Sequence, residues 1–201
     1  MRAWLLSGCL TLLLLAQQAA AQTLLVVGDS ISAGLGLDTG QGWVSLLEKR
    51  LKEKGYDYRV VNASISGDTS AGGLARLPAL LAEEKPELVV IELGGNDGLR
   101  GMAPMHLQQN LAAMVSASRD SGAKVILLGM RLPPNYGERY TQAFAQVFQQ
   151  VAEQQKVALV PFFLDRVGGN PQLMQPDGIH PAADAQPLLL ENLWPTLKPL
   201  L

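Results

Sequence analysis

Apolar positions fall into two alternating kinds of segment along this chain. Short, nearly unbroken apolar runs lie at residues 24–27, 59–62, 88–93, 124–129 and 158–161. Runs of this length without polar alternation predict strands of a parallel sheet covered on both faces. Between them, apolar residues recur at helical spacing. Trp43, Leu46, Leu47 and Leu51 predict one helix, closed by Gly55. Leu74, Leu77, Leu80 and Leu81 predict a second, stopped at Pro86. Leu107, Leu111, Met114 and Val115 predict a third, ended by Gly122, and Tyr140, Phe144, Val147, Phe148 and Val151 a fourth. A last helix is expected from Pro181 to about Leu193, with Pro187 in its first turns, where a missing amide costs little. Strand and helix alternating in this way predict an α/β fold: a three-layer α/β/α sandwich on a five-stranded parallel sheet, with right-handed crossovers and strand order 2-1-3-4-5, flavodoxin-like.

Composition adds bounds to this picture. The chain has 201 residues, 48% of them apolar, enough for one sizeable core. Its net charge of −2 includes no basic block, so nucleic acid is not an expected partner. The first residues read as an address. Arg2, a leucine-rich stretch over residues 10–16 and Ala19-Ala20-Ala21 have the form of a cleaved leader, predicting domain bounds of 1–21 (leader) and 22–201 (mature domain). The apolar run is too short for a comfortable membrane anchor. Leu6-Ser7-Gly8-Cys9 looks like a lipobox, but the main apolar run follows Cys9 instead of preceding it. The expected location is periplasmic or secreted, without a stable membrane anchor, and a monomer is expected. Removal of the leader takes away Cys9, the single cysteine. Only His106 and His180 can then supply imidazole, so no metal site of the His/Cys type and no cofactor is expected.

The chemistry is carried by the polar clusters at the strand ends. Gly28-Asp29-Ser30 comes after the first strand, Ser66-Gly67-Asp68 after the second, Gly94-Gly95-Asn96-Asp97 after the third, and Asp177-Gly178-Ile179-His180 after the fifth. In a parallel sheet all carboxyl ends share one edge, so these clusters meet in one crevice. Together they supply a serine acyl hydrolase. Ser30 is the candidate nucleophile, His180 its base, and Asp177, three residues earlier, the group that orients the imidazole. The amides of Ser30 and Gly67 and the side chain of Asn96 are candidate oxyanion donors. Asp29, Asp68 and Asp97 read as structural, bonding loop amides in Asx-type turns. His106 reads as solvent-exposed, and Ser32, Ser64, Ser66 and Ser70 lack an equally convincing partner.

These blocks resemble, in order and residue by residue, those of the SGNH (GDSL-type) hydrolase family. The likeness continues through Thr69-Ser70-Ala71-Gly72-Gly73 and Arg131-Leu132-Pro133-Pro134-Asn135-Tyr136-Gly137. It implies hydrolysis of small-molecule carboxylic esters and thioesters (aryl esters, acyl-CoA, lysophospholipids), or of acetylated carbohydrate in the family's deacetylase branch; a non-catalytic binding module that kept the fold is the alternative outside catalysis, and the intact catalytic set argues against it. Leu99 and Arg100 after the Asn96 block, and Pro133 and Tyr136 after the fourth strand, are expected to line an acyl pocket. Gly98 and Gly101 are expected to let the first of these segments close over the chain as a small lid.

Overall fold

In the computed structural model, which describes residues 21–201, every predicted strand is present: β1 (Gln22–Gly28), β2 (Tyr58–Asn62), β3 (Leu88–Glu92), β4 (Lys124–Leu128) and β5 (Ala158–Val160). The leader expected over 1–21, apart from Ala21 itself, lies outside the described residues, and Cys9 with it. The strands pair in parallel in the order β2-β1-β3-β4-β5, with Leu24–Val26 of β1 in register with Val60–Asn62 of β2 and with Leu88–Val90 of β3. The apolar runs are unbroken because helices cover both faces. Leu24 to Val27 and Leu88 to Val90 are all fully buried. Each such side chain contributes about 1.5–3 kcal/mol relative to exposure.

The helices are α1 (Ser30–Ala33), α2 (Trp43–Glu53), α3 (Ser70–Glu84), α4 (Gly95–Leu99), α5 (Pro104–Asp120), α6 (Glu138–Gln155) and α7 (Gln186–Leu197). Helices α3, α5 and α6 pack side by side on one face, and α2 and α7 together on the other. Helix α2 is preceded by Gly42, which has no side chain to cap it. The buried amide oxygen of Gln186 does so from α7, accepting from the Trp43 N–H at 3.0 Å. The Trp43 ring meets Phe163 edge-on at 5.2 Å, which ties α2 to the chain after β5. Helix α3 carries Pro78, whose missing amide is tolerated on its exposed face.

One expectation needs correction, and two short helices escaped the sequence reading. The last helix starts at Gln186, after a single turn over Ala183–Ala185, and runs through Pro195 to Leu197. The chain before it cannot be helical because its backbone is engaged elsewhere. Ala182 N–H donates to the Leu173 carbonyl, and the His180 carbonyl accepts from the Gln175 N–H at 2.7 Å. Pro187 still falls in the first turn. The short helices α1 and α4, directly after β1 and β3, were not predicted from apolar spacing. They contain only four and five residues, too few to show a period.

Candidate active site

Asp29 is the residue that turns β1 into α1. Its carboxylate accepts from the Ile31 N–H at 3.0 Å, capping α1 so that Ser30 becomes the first helical residue. The Ser30 side chain thus emerges at the carboxyl edge of the sheet from a buried turn. His180 reaches it from the loop before α7, with Nε2 at 2.8 Å from Ser30 Oγ. On the other side of the ring, Nδ1 is 2.6 Å from Asp177 Oδ2. Asp177 Oδ1 accepts from the N–H groups of Ile179 and His180 at 2.9 and 3.0 Å. The bond to the His180 ring, then those two amides, pull the Asp177 pKa down to about 2. An ionised Asp177 retains the proton on Nδ1 and leaves the Nε2 lone pair for the serine hydroxyl.

The three candidate oxyanion donors come from three segments. Ser30 N–H opens α1 and has no acceptor among the described residues. Gly67 sits at φ 79°, a left-handed conformation open to glycine, and a Cβ placed there would meet nothing within 4 Å. Asn96 Nδ2 donates to Asp29 Oδ2 at 3.1 Å and to the Asp68 carbonyl at 2.9 Å, so both amide hydrogens have protein acceptors in the substrate-free site. Beside these groups opens a cleft of about 570 Å³, walled by Leu99, Met130, Leu132, Pro133, Phe162 and Ile179.

Of the expected pocket residues, Leu99 and Pro133 line this cleft and Arg100 and Tyr136 do not. Arg100 instead donates from Nη2 to the Gly67 carbonyl at 2.9 Å. Tyr136 turns behind the wall, where its hydroxyl donates to the Leu99 carbonyl at 3.1 Å. The lid expectation is corrected by the same contacts. Residues 95–99 are helical, and the Tyr140 hydroxyl bonds the carbonyls of Met102 at 2.7 Å and Gly98 at 3.3 Å. Gly98 is a packing glycine, since a Cβ would come within 2.5 Å of Leu132 and 2.8 Å of Phe144. Gly101, at φ 68° with open space around it, is the one turn glycine of the pair.

The acidic residues are more than local turn-formers. Asp68 does bond the next amide, that of Thr69, but its other oxygen accepts from Arg76 Nε at 2.8 Å. Asp97 holds the start of α3, accepting from Ser70 N–H at 2.8 Å and Ser70 Oγ at 2.6 Å. Glu92 lies within the apolar run 88–93 and is not among the expected site residues. It is fully buried, and its Oε2 accepts from the Ser32 hydroxyl at 2.6 Å and, at 3.4 Å, from the Asp29 N–H. An acidic residue inside a strand that is otherwise unbroken was the available signal. Burial pushes Asp29 up to about 6, against its bond from Ile31. Burial, and then the neighbouring Asp29 charge, push Glu92 well above the usual carboxylate range. Among the described residues no three His, Cys, Asp or Glu side chains come together as metal ligands would.

Known proteins are similar to this chain in sequence and in fold. Residues 26–186 match the model of the GDSL-like Lipase/Acylhydrolase family. The chain is 77% identical over 201 residues to "Esterase TesA" of Pseudomonas aeruginosa, covering all of both chains. It is 46% identical over 197 residues to "Thioesterase 1/protease 1/lysophospholipase L1" of Escherichia coli K12, covering 98% of this chain and 93% of the other. The crystal structure of the psychrotrophic esterase EstA from Pseudoalteromonas sp., inhibited by monoethylphosphonate, superposes with a TM-score of 0.84 at 42% identity, over 89% of this chain and 97% of that one.

Proposed function

The chain belongs to the GDSL-like lipase/acylhydrolase family, and from that premise we propose that it cleaves carboxylic esters and thioesters through an acyl-enzyme on Ser30. One observation carries the reading. A single imidazole, His180, is hydrogen-bonded to the Ser30 hydroxyl at one nitrogen and to the Asp177 carboxylate at the other, at the mouth of an apolar cleft. His180 Nε2 takes the Ser30 proton as Oγ attacks the acyl carbonyl, and Asp177 stabilises the imidazolium so formed. His180 then gives a proton to the departing alcohol or thiol. Water attacks the acyl-serine by the same route. The N–H groups of Ser30 and Gly67 meet the oxyanion directly. Asn96 joins them when the oxyanion, fully charged, competes for the hydrogen now held by the neutral Asp68 carbonyl.

The apolar wall of Leu99, Leu132 and Pro133 suits an acyl chain better than an acetylated sugar, which favours the ester and thioester reading over a carbohydrate deacetylase. The leader at 1–21 would carry the enzyme out of the cytoplasm, to work in the periplasm or outside the cell after cleavage behind Ala21. No helix among the described residues is long and apolar enough to cross a membrane.

The test is stoichiometric labelling together with a mutant cycle. An organophosphonate should modify the protein once, at Ser30. Ser30→Ala and His180→Ala should each abolish turnover, by ~10⁴ or more, and the double mutant should be hardly worse than either, because the pair acts as one unit. Labelling elsewhere, or losses that simply add, would overturn the assignment.

A further inference from the structure

The proposed oxyanion donors stand on three separate segments, and one guanidinium touches the supports of all three. Arg76, on α3, is mostly buried, with 20% of its side chain exposed. Its Nε donates to Asp68 Oδ2 at 2.8 Å, its Nη1 to the carbonyl of Ala63, and its Nη2 to the carbonyl of Gly28 at 3.3 Å. Gly28 closes β1, two residues before Ser30. Ala63 is the first residue past β2. Asp68 follows Gly67 directly, and its carbonyl is an acceptor of the Asn96 amide. We infer that Arg76 is a positioning residue which fixes the spacing of the Ser30, Gly67 and Asn96 donors around the oxyanion, and this rests on the hydrolase reading above.

The local sequence is built for this clasp. Gly72 stands where a Cβ would fall 1.9 Å from Asp68 Oδ1, so the missing side chain leaves room for the carboxylate beside α3. Asp68 is thereby held in reach of Arg76 from outside the helix, ahead of the Thr69 cap. Three acceptors are gripped by one planar group whose donors keep fixed angles to one another. A lysine ammonium carries the same charge on a flexible stem and cannot span them. Oxyanion donors act only when aimed at the position the charged oxygen will take, and errors well under the length of a bond are costly. Arg76 itself does not line the cleft. Its loss should therefore appear in the chemical step and not in ground-state binding.

The experiment compares Arg76→Met, which keeps the stem and removes the fork, with Arg76→Lys and with Ser30→Ala. Active sites are counted by phosphonate labelling, so that turnover is expressed per competent site and any loss of folded protein drops out. For Arg76→Met, kcat per site should fall ~10- to 100-fold on p-nitrophenyl butyrate while KM stays within about twofold. Arg76→Lys should show the same pattern, and it carries the test if Arg76→Met does not fold. An unchanged kcat per site in Arg76→Lys, or a loss that lies wholly in KM, overturns the inference. If Ser30→Ala retained turnover, the hydrolase reading would fall and take this inference with it. If Ser30→Ala is inactive while both Arg76 variants turn over normally, only the inference falls.

Discussion

At the scale of single residues, the site stands on buried acids whose protons should be visible in stability. Asp29 and Glu92 lie together beneath the nucleophile turn, and burial raises both, Asp29 to about 6. The folded chain therefore keeps protons that the unfolded chain gives up as pH rises out of the ordinary carboxylate range. The stability Asp29 contributes is complete below that range and is lost as pH climbs through about 6, and the Glu92 contribution is lost as pH climbs through that group's own raised pKa. Glu92→Gln keeps an oxygen to accept from the Ser32 hydroxyl and removes the ionisation. Urea midpoints measured from about pH 4 to about pH 7 should fall less steeply in Glu92→Gln than in the unmutated protein. The gap should be roughly 1.4 kcal/mol for each unit of pKa shift removed. Parallel curves would show that folding does not raise the Glu92 pKa. Asp177 has the opposite sign. Its depressed pKa contributes above the usual carboxylate value and is lost as pH falls toward about 2, so the two effects separate cleanly along the pH axis.

At the scale of elements, α4 is the part of the site with the least support of its own. It has no side-chain cap at its start, and the hydroxyls of Tyr136 and Tyr140 bond its carbonyls and the turn after it. Gly98 lets it lie against Leu132 and against Phe144, which is buried and cannot retreat. Gly98→Ala should therefore cost ~1–3 kcal/mol by overpacking, a fall of roughly 2–10 °C in Tm. Because Leu132 is the neighbour free to move, and it walls the cleft, octanoyl ester hydrolysis should suffer more than acetyl ester hydrolysis. Equal losses on both esters would show that Leu132 had not moved into the cleft. The same element marks where the sequence was readable and where it was not. The inner strands β1, β3 and β4 announced themselves because burial on both faces forces an apolar run, whereas the part-buried edge strands β2 and β5 showed only short ones. Ser30, Asn96, Asp177 and His180 stood out because polar groups at strand ends break that pattern. Arg76 and Glu92 did not, since an arginine on a helix and an acid in a strand look ordinary until the partners they meet in space are known. Residues 181–185 were misread as helix because their backbone bonds lie across a loop and leave no period in the sequence.

At the scale of the whole molecule, the cleft runs along the carboxyl edge of the sheet, from Gly67 after β2 to Phe162 after β5. An acyl chain lying along it should gain up to ~0.8 kcal/mol for each methylene it buries. We expect kcat/KM on p-nitrophenyl esters to climb from acetyl toward octanoyl and then level off, with Leu99→Ala blunting the climb. A flat or falling profile in the unmutated protein would refute an acyl groove. The arrangement of strands also bears on when activity can first exist. The strand carrying Ser30 is made first yet lies inside the sheet, and the His180 that Ser30 needs comes 150 residues later. A parallel sheet of this order closes only long loops, so it assembles slowly and late. Any chain still being synthesised, or stopped short of its last loop, carries a serine with no base beside it. An ester hydrolase built in this order stays inactive until its last loop is made, so chain order itself serves as a safety catch.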